Sequence, residues 1–473
     1  MTLEDHDQLS VIHVAGTKGK GSTCAYTESI LRNCGYKTGF FSSPHLINVT
    51  ERIRINGAPI SKDKFAEYFW HVYSQLEATK GNYEHHQMPG YFQFLTTLAF
   101  YVFLKENVDV TILEVGIGGQ YDCTNIVRFP VVCGITSIGY DHQNILGSTL
   151  DSIAWQKAGI FKPRTPAVTL PQCPKVMSVL LERAQEIGCP LYMVPEFHDY
   201  DEISEDFELV SLEPFQHLNI SLALQLSKLW LYNHDKGADH KKGFEDCPLL
   251  PESESPPVIS KDIPLLKNMV QGIKTCEWLG RVQTVKRPGL TYYLDGAHTL
   301  QSMKVCCQWF EKKSAAEIKS LSNNEKVVRI LIFNLTGSRK PKPLLSLLKN
   351  CAFDIAIFIT NMLDTNLSEI KESNKCKQFE EIWHDIDSQI LTAPESRKNS
   401  HRHQITEIFP SLNDAILWCQ KGQSENIEQQ KPWNSFRPVP TFLREATHVQ
   451  VLVTGSIHLV GGVLALINHN EKQ

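Results

Sequence analysis

The segment VIHVAGTKGKGSTCAYTESIL, Val11 to Leu31, passes from a short apolar run through three closely spaced glycines into a helical pattern. A strand, a glycine turn and a helix in that order open a βα unit, where N–H groups at the helix start and its dipole favour phosphate. The spacing is not that of the common loop G-x-x-x-x-G-K-[ST], which needs glycine at 14 and a hydroxyl directly after Lys20; Val14 and Gly21 stand there. A dinucleotide fingerprint fails too, because the G-x-G-x-x-G frame from Gly19 reaches Cys24 where glycine is required. Two lysines among three glycines have little purpose in a bare structural turn. The glycines here are therefore candidates for close backbone approach to phosphate, with Lys20 supplying the cation.

Up to about residue 230 the same alternation continues. VIHV, KTGFF, VDVTILEV, VVCGITSI, PAVTL and PLYMV read as strands. Between them lie amphipathic stretches such as YFQFLTTLAFYVFLKE, with Leu95, Leu98, Ala99 and Val102 on one face. This describes an α/β fold with a mostly parallel sheet covered by helices on both sides. Residues 234–263 are polar and rich in Pro and Ser, a surface excursion, and a domain boundary is expected close by, giving domains 1–275 and 276–473. The second, smaller α/β domain carries the strands LTYYLDG, VVRILIFN, DIAIFIT and VQVLVTG, with an irregular insertion expected near 363–440. The apolar tract Val449–Ile467 contains Gln450, Thr454, Ser456, His458 and Gly461-Gly462, so strand, turn and helix fit it better than a membrane span.

A net charge of -5 spread along the chain excludes the basic field that nucleic acid requires. The 13 cysteines show no C-x-x-C pair, which argues for reduced thiols inside a cell. The N-terminus MTLEDHDQLS has neither a signal-peptide apolar core nor transit-peptide composition, so the chain as written is expected in the cytoplasm.

Two further strand ends present polar groups at the carboxyl edge, where ligands bind in such folds. TILEVGIGGQYDCTN delivers Glu114, a carboxylate suited to Mg²⁺ beside phosphate, and TSIGYDHQNILG delivers Asp141 and His142. Each alone reads equally as an acidic strand end or a structural histidine.

In order along nearly the whole chain stand GTKGKGS, FFSSPHL with ERIRING, MPGYFQFLT, EVGIGGQYDCTN, DHQNILGSTLDSIAWQKAGIFK, WLGR, YLDGAHT and VTGSIHLVGG. This ordered set resembles the Mur-ligase-like superfamily of ATP-dependent amide-forming ligases, and most closely its folate branch, the eukaryotic-type folylpolyglutamate synthases. The resemblance implies an N-terminal P-loop-type ATPase domain, a C-terminal Rossmann-like domain and an active site in the cleft between them. It implies a ligase that uses ATP to add L-glutamate to the γ-carboxylate of folate or tetrahydrofolate polyglutamates through an acyl phosphate. It implies Gly19, Lys20, Gly21 and Ser22 around the ATP phosphates, Ser43, Glu114 and His142 as ligands of Mg²⁺, with room for a monovalent cation, and Arg281 and Asp295 as further ATP contacts. His298 falls at a position tied to catalysis or substrate binding, and Lys157 matches a lysine that is carbamylated in similar enzymes. Without the resemblance, Ser43 reads as a Ser-Pro turn, Arg281 as a surface arginine, Asp295 as an Asp-Gly turn and Lys157 as a solvated helix lysine.

The chain departs from the family pattern at Gln156, where Glu is common, and in EPFQHLN, which keeps Gln216 and Asn219 but has Glu213 and Phe215. GSRK, Gly337 to Lys340, reverses the charge of the family's stretch. The start of the chain close to its first strand raises the expectation of impaired folding or folate binding in this form, and a longer form is expected to reach mitochondria. A monomer is expected. Two other readings are a P-loop NTPase or phosphotransferase of another kind, and a chain that binds nucleotide without turnover.

Overall fold

Short runs of β-branched and aromatic residues bounded by glycine and proline form the strands here, as the alternation predicts. The computed structural model describes residues 2–80, 87–204, 206–235, 256–259, 265–322, 325–337, 339–360, 369–391, 405–421 and 438–469. The surface excursion expected at 234–263 therefore lies mostly outside the described residues. The chain divides into two units, Met1–Trp278 and Leu279–Gln473.

In the first unit the strands are β1 (Val11–Ala15), β2 (Thr38–Phe41), β3 (Ile53–Ile55), β4 (Ala58–Pro59), β5 (Val110–Glu114), β6 (Val132–Ile135), β7 (Ala167–Thr169) and β8 (Leu191–Met193). They form one sheet in the order β4-β3-β2-β5-β1-β6-β7-β8, parallel from β2 to β8. The β3–β4 hairpin turns at Asn56-Gly57, whose φ values of 50° and 79° give the twisted turn that Asn-Gly favours. That hairpin adds β3 and β4 to the strands expected from the sequence, and the Asn-Gly pair of ERIRINGAPI is its signal.

Side chains alternate across the sheet, so β1 buries Ile12 and Val14 on one face with Cys24, Ala25 and Leu31 of the helix Lys20–Asn33 and Leu222, Leu226 and Trp230 of the helix Pro214–Asp235. Val11 faces the opposite side with Leu98, Ala99 and Val102 of the helix Tyr91–Lys105, while Ala15 meets Ala154 and Ala158 of the helix Leu150–Ala158. Each fully buried aliphatic side chain contributes about 1.5–3 kcal/mol, so the sheet and its strand-end geometry are held firmly.

The second unit contains β9 (Gln283–Arg287), β10 (Leu290–Leu294), β11 (Val327–Phe333), β12 (Ile355–Ile359), β13 (Ile405–Phe409) and β14 (His448–Thr454). Their order is β13-β12-β11-β14-β10-β9, with only the edge strand β9 antiparallel. The tract from Val449 is a strand followed by the helix Ile457–His469, and no helix among the described residues is long and apolar enough to cross a membrane.

The stretch 363–440 differs from the irregular insertion expected. Among its described residues it holds the helix Glu369–Leu391, the edge strand β13 and the helix Leu412–Lys421. Cys376, Phe379, Trp383 and Ile386 of the first helix are buried against Phe333, Phe358 and Leu348. Four apolar residues at helical spacing are enough to dock a helix whose remaining residues are polar, and that mixture masked the period.

Candidate active site

The glycine segment is pinned at both sides before the helix begins. Thr17 and Lys18 donate backbone N–H groups to the Ser137 carbonyl at 2.8 and 3.2 Å, and the Thr17 hydroxyl donates to the Gly139 carbonyl and accepts its N–H at 3.0 and 3.1 Å. Gly19 has φ 91°, and a Cβ there would lie 2.3 Å from Asn219 Oδ1, so backbone conformation and space both demand glycine. Gly19 supplies no side-chain cap to the helix Lys20–Asn33, whose first-turn N–H groups are thus available to an anion. Lys20 is half-buried and Ser22 buried.

The parallel register sets Val14 beside Glu114, so the β5 carboxylate emerges next to this segment. Glu114 is buried, its Oε2 accepts the Ser43 N–H at 3.1 Å, and the same oxygen lies 3.4 Å from where a Cβ on Gly21 would be. Ser43 and Glu114 are thereby brought together at the glycine segment. On its other side Lys18 Nζ pairs with Asp141 Oδ2 at 3.1 Å, and Asp141 Oδ1 accepts the N–H of His142, which has φ 50°. His142 therefore adjoins the loop through Asp141.

A hydroxyl, a carboxylate and an imidazole are donor types that suit a divalent ion taking its remaining ligands from phosphate and water. Among the described residues no three His, Cys, Asp or Glu side chains converge as a metal group. The residues fit Mg²⁺ shared with a nucleotide rather than an all-protein cage.

Lys157 is buried, contrary to the solvated-lysine reading, because the helix Leu150–Ala158 turns this side inward with Ala154 and Ala158. Its Nζ donates to the Gly16 carbonyl at 2.7 Å. Burial, reinforced by the Lys20 and Lys18 charges and opposed by Asp141 and Asp122, holds the amine well below the ordinary lysine range. A buried amine with a depressed pKa thus sits at the base of the loop.

In the second unit Asp295, at the end of β10, accepts the Val282 N–H on Oδ2 and the Ala297 N–H on Oδ1, both at 2.9 Å. Burial raises its pKa, opposed by Arg281 and these two N–H groups. Val282 has φ 42°, a strained conformation for a β-branched residue, and it directly follows Arg281, whose Nη1 lies 3.0 Å from a Cβ built on Gly296. His298 Nδ1 faces the Gly296 carbonyl at 2.8 Å, so Nδ1 carries the proton and Nε2 is the basic nitrogen of the neutral ring. Arg281, Asp295 and His298 thus form one local group.

Sequence reading missed the contacts that shape the loop from a distance. Asn219 reaches Gly19 and Thr23 from the helix Pro214–Asp235, held by Gln216 at 3.0 Å, and Trp278 lies 3.1 Å from a Cβ on Gly21. The retained Gln and Asn of EPFQHLN were the available signal; for Lys18 with Asp141 there was none.

No family model matches the chain. Among curated proteins it is 42% identical over 513 residues to the mitochondrial folylpolyglutamate synthase of Bos taurus, covering 100% of this chain and 86% of that protein. It is 41% identical over 504 residues to the mitochondrial folylpolyglutamate synthase of Homo sapiens, covering 99% and 84%. Among solved structures, Mycobacterium tuberculosis folylpolyglutamate synthase complexed with ADP superposes with a TM-score of 0.66 at 21% identity, over 98% of this chain and 91% of that one, a likeness of fold.

Proposed function

The chain belongs to the folylpolyglutamate synthase family, and on that premise we propose how its own residues carry the reaction. The enzyme is an ATP-dependent ligase that joins L-glutamate to the γ-carboxylate of folate and its polyglutamates and releases ADP and phosphate. The observation that supports the site assignment best is Glu114 Oε2, which accepts the Ser43 N–H at 3.1 Å beside the first turn of a helix that opens on Gly19 and Lys20.

A carboxylate does not react usefully with an amine at neutral pH, so it must be activated. A γ-carboxylate oxygen of the folate attacks the γ-phosphorus of ATP, ADP leaves, and an acyl phosphate forms. The amine of glutamate attacks the acyl carbon, phosphate leaves with the bonding electrons, and the amine proton is lost as the amide forms. Lys20 and the N–H groups of Gly21 and Ser22 hold the transferred phosphoryl group, and their contribution is positioning and electrostatics. Ser43, Glu114 and His142 would hold Mg²⁺, which supplies charge neutralisation at the phosphates when bound.

Lys157 is proposed to react as its neutral amine with CO₂, forming a carbamate and releasing one proton. Loss of the Nζ–H to Gly16 hydrogen bond is the price of that change unless the carbamate N–H retains it. Nuclear magnetic resonance with isotopically labelled CO₂ tests this, and absence of a protein-bound carbamate signal in active enzyme would remove it. Arg281, Asp295 and His298 are proposed as the nucleotide- and substrate-facing residues of the second unit. The same reading has the enzyme acting as a monomer in the cytoplasm, which analytical ultracentrifugation and cell fractionation check.

Mass spectrometry of the products from tetrahydrofolate, ATP, Mg²⁺ and labelled glutamate tests the whole. One added glutamate residue per ADP released is expected. ADP release that neither folate nor glutamate stimulates would overturn it.

A further inference from the structure

A buried histidine on β1 is connected through two side chains to the loop that follows Glu114. His13 is fully buried, and its Nε2 lies 2.8 Å from the Thr124 hydroxyl. That hydroxyl lies 2.6 Å from Asp122 Oδ1, which also accepts the Thr124 N–H at 3.0 Å. Asp122 Oδ2 in turn accepts the N–H of Ile117 at 2.9 Å.

The direction of each bond is set by counting protons. The Thr124 hydroxyl has one hydrogen and gives it to the carboxylate, which can only accept; it must then accept from His13 Nε2–H. Burial, with Lys162 nearby, drives the His13 pKa down to about 3, so the ring stays neutral with its proton on Nε2. His13 Nδ1 is buried with no hydrogen-bond partner. An unsatisfied ring nitrogen costs free energy, so its burial is tolerated for what the other nitrogen does.

The Ile117 N–H that Asp122 holds lies in the glycine turn between Glu114 and Gln120. At the far side of that turn Gln120 donates its N–H to the Gln156 carbonyl at 2.7 Å, and a Cβ on Gly119 would lie 2.9 Å from the Lys157 carbonyl. The turn therefore links the end of β5 to the helix that carries Lys157.

We propose that His13, acting through Thr124 and Asp122, is a positioning residue that sets Glu114 and Lys157 against the phosphate loop. It touches no substrate. The proposal rests on the site assignment above and adds to it a relay of three residues outside that site.

The test compares His13→Leu, His13→Gln, Thr124→Val and the double variant His13→Leu/Thr124→Val in the full chain. Glutamine can place an amide N–H near the position of Nε2–H, whereas leucine cannot. His13→Leu and Thr124→Val should each lower kcat by about 10- to 100-fold and raise the Mg²⁺ concentration needed for half-maximal rate, as loss of an orienting partner does. KM for folate should change by less than about threefold, and the double variant should be no worse than the poorer single one, because the three residues act as one chain. His13→Gln should recover most of the rate. An unchanged kcat in Thr124→Val, multiplying effects in the double variant, or failure of His13→Gln to recover rate in a folded protein each overturns the proposal. Lys20→Ala is the control: if it too keeps full activity, the site assignment fails; if it alone is inactive, only the relay fails.

Discussion

Lys157 Nζ donates a hydrogen bond to the carbonyl oxygen of Gly16 at 2.7 Å, joining a buried amine to the residue where β1 becomes the glycine-rich loop. The two residues are 141 positions apart in the chain. Their contact places a buried lysine at the base of the glycine-rich loop, not on a solvated helix face.

Lys157→Met keeps the apolar stem and removes the amine. The lost hydrogen bond costs about 1 kcal/mol, and removal of a desolvated amine offsets part of that. Thermal unfolding should shift by only a few degrees, as ~1 kcal/mol does in a chain of this size, while ligase activity falls by about 100-fold or more. A parallel loss of fold and activity would assign Lys157 a structural role instead.

Lys20→Ala removes one preorganised cation from the phosphoryl group. Turnover measured by product formation should drop about 100-fold or more, since one such contact is commonly worth that much. The side chain is half-buried at a helix start, so circular dichroism should remain unchanged. Near-normal turnover would exclude Lys20 from phosphoryl transfer.

For Glu114→Gln the amide oxygen can still accept the Ser43 N–H, so melting temperature should hold. The negative charge is gone, and the Mg²⁺ concentration for half-maximal rate should rise by about tenfold or more. Activity titrated against Mg²⁺ at fixed ATP decides the matter.

Asp295→Asn keeps one acceptor oxygen, but its NH₂ group faces the N–H of either Val282 or Ala297. One N–H left without an acceptor costs about 1–3 kcal/mol. Differential scanning calorimetry should show destabilisation, and its absence would mean that the strained Val282 relaxes without cost.

His13 governs part of the acid sensitivity. Its pKa is pushed down to about 3 in the native chain, against an ordinary value of 6.5. Between those two values the unfolded chain binds a proton that the native chain does not. Stability therefore rises with pH across that window and is lost as pH falls from about 6.5 towards 3, by an amount on the order of a few kcal/mol. His13→Gln has no such proton to bind, so its acid-unfolding midpoint should move to lower pH; an unmoved midpoint would show that other groups control acid unfolding.

The amino-acid sequence alone made legible the α/β class, the parallel strands of the first unit and the glycine turn that opens a helix. Those features rest on local physics: β-branched runs extend, apolar residues at helical spacing face a sheet, and glycine at a βα junction leaves helix N–H groups to an anion. It also carried Ser43, Glu114, His142, Lys157, Arg281, Asp295 and His298 as site residues, but through resemblance rather than through local pattern. Edge strands β9 and β13 were not readable, because an edge strand is half-exposed and its polar alternation looks like loop. The burial of Lys157, the pairing of Lys18 with Asp141 and the closing of Asn219 on Gly19 come from the folded chain alone. It alone connected His13 to Asp122. Burial and hydrogen bonding are properties of neighbours brought together from distant parts of the chain, and no window of sequence contains both members of such a pair.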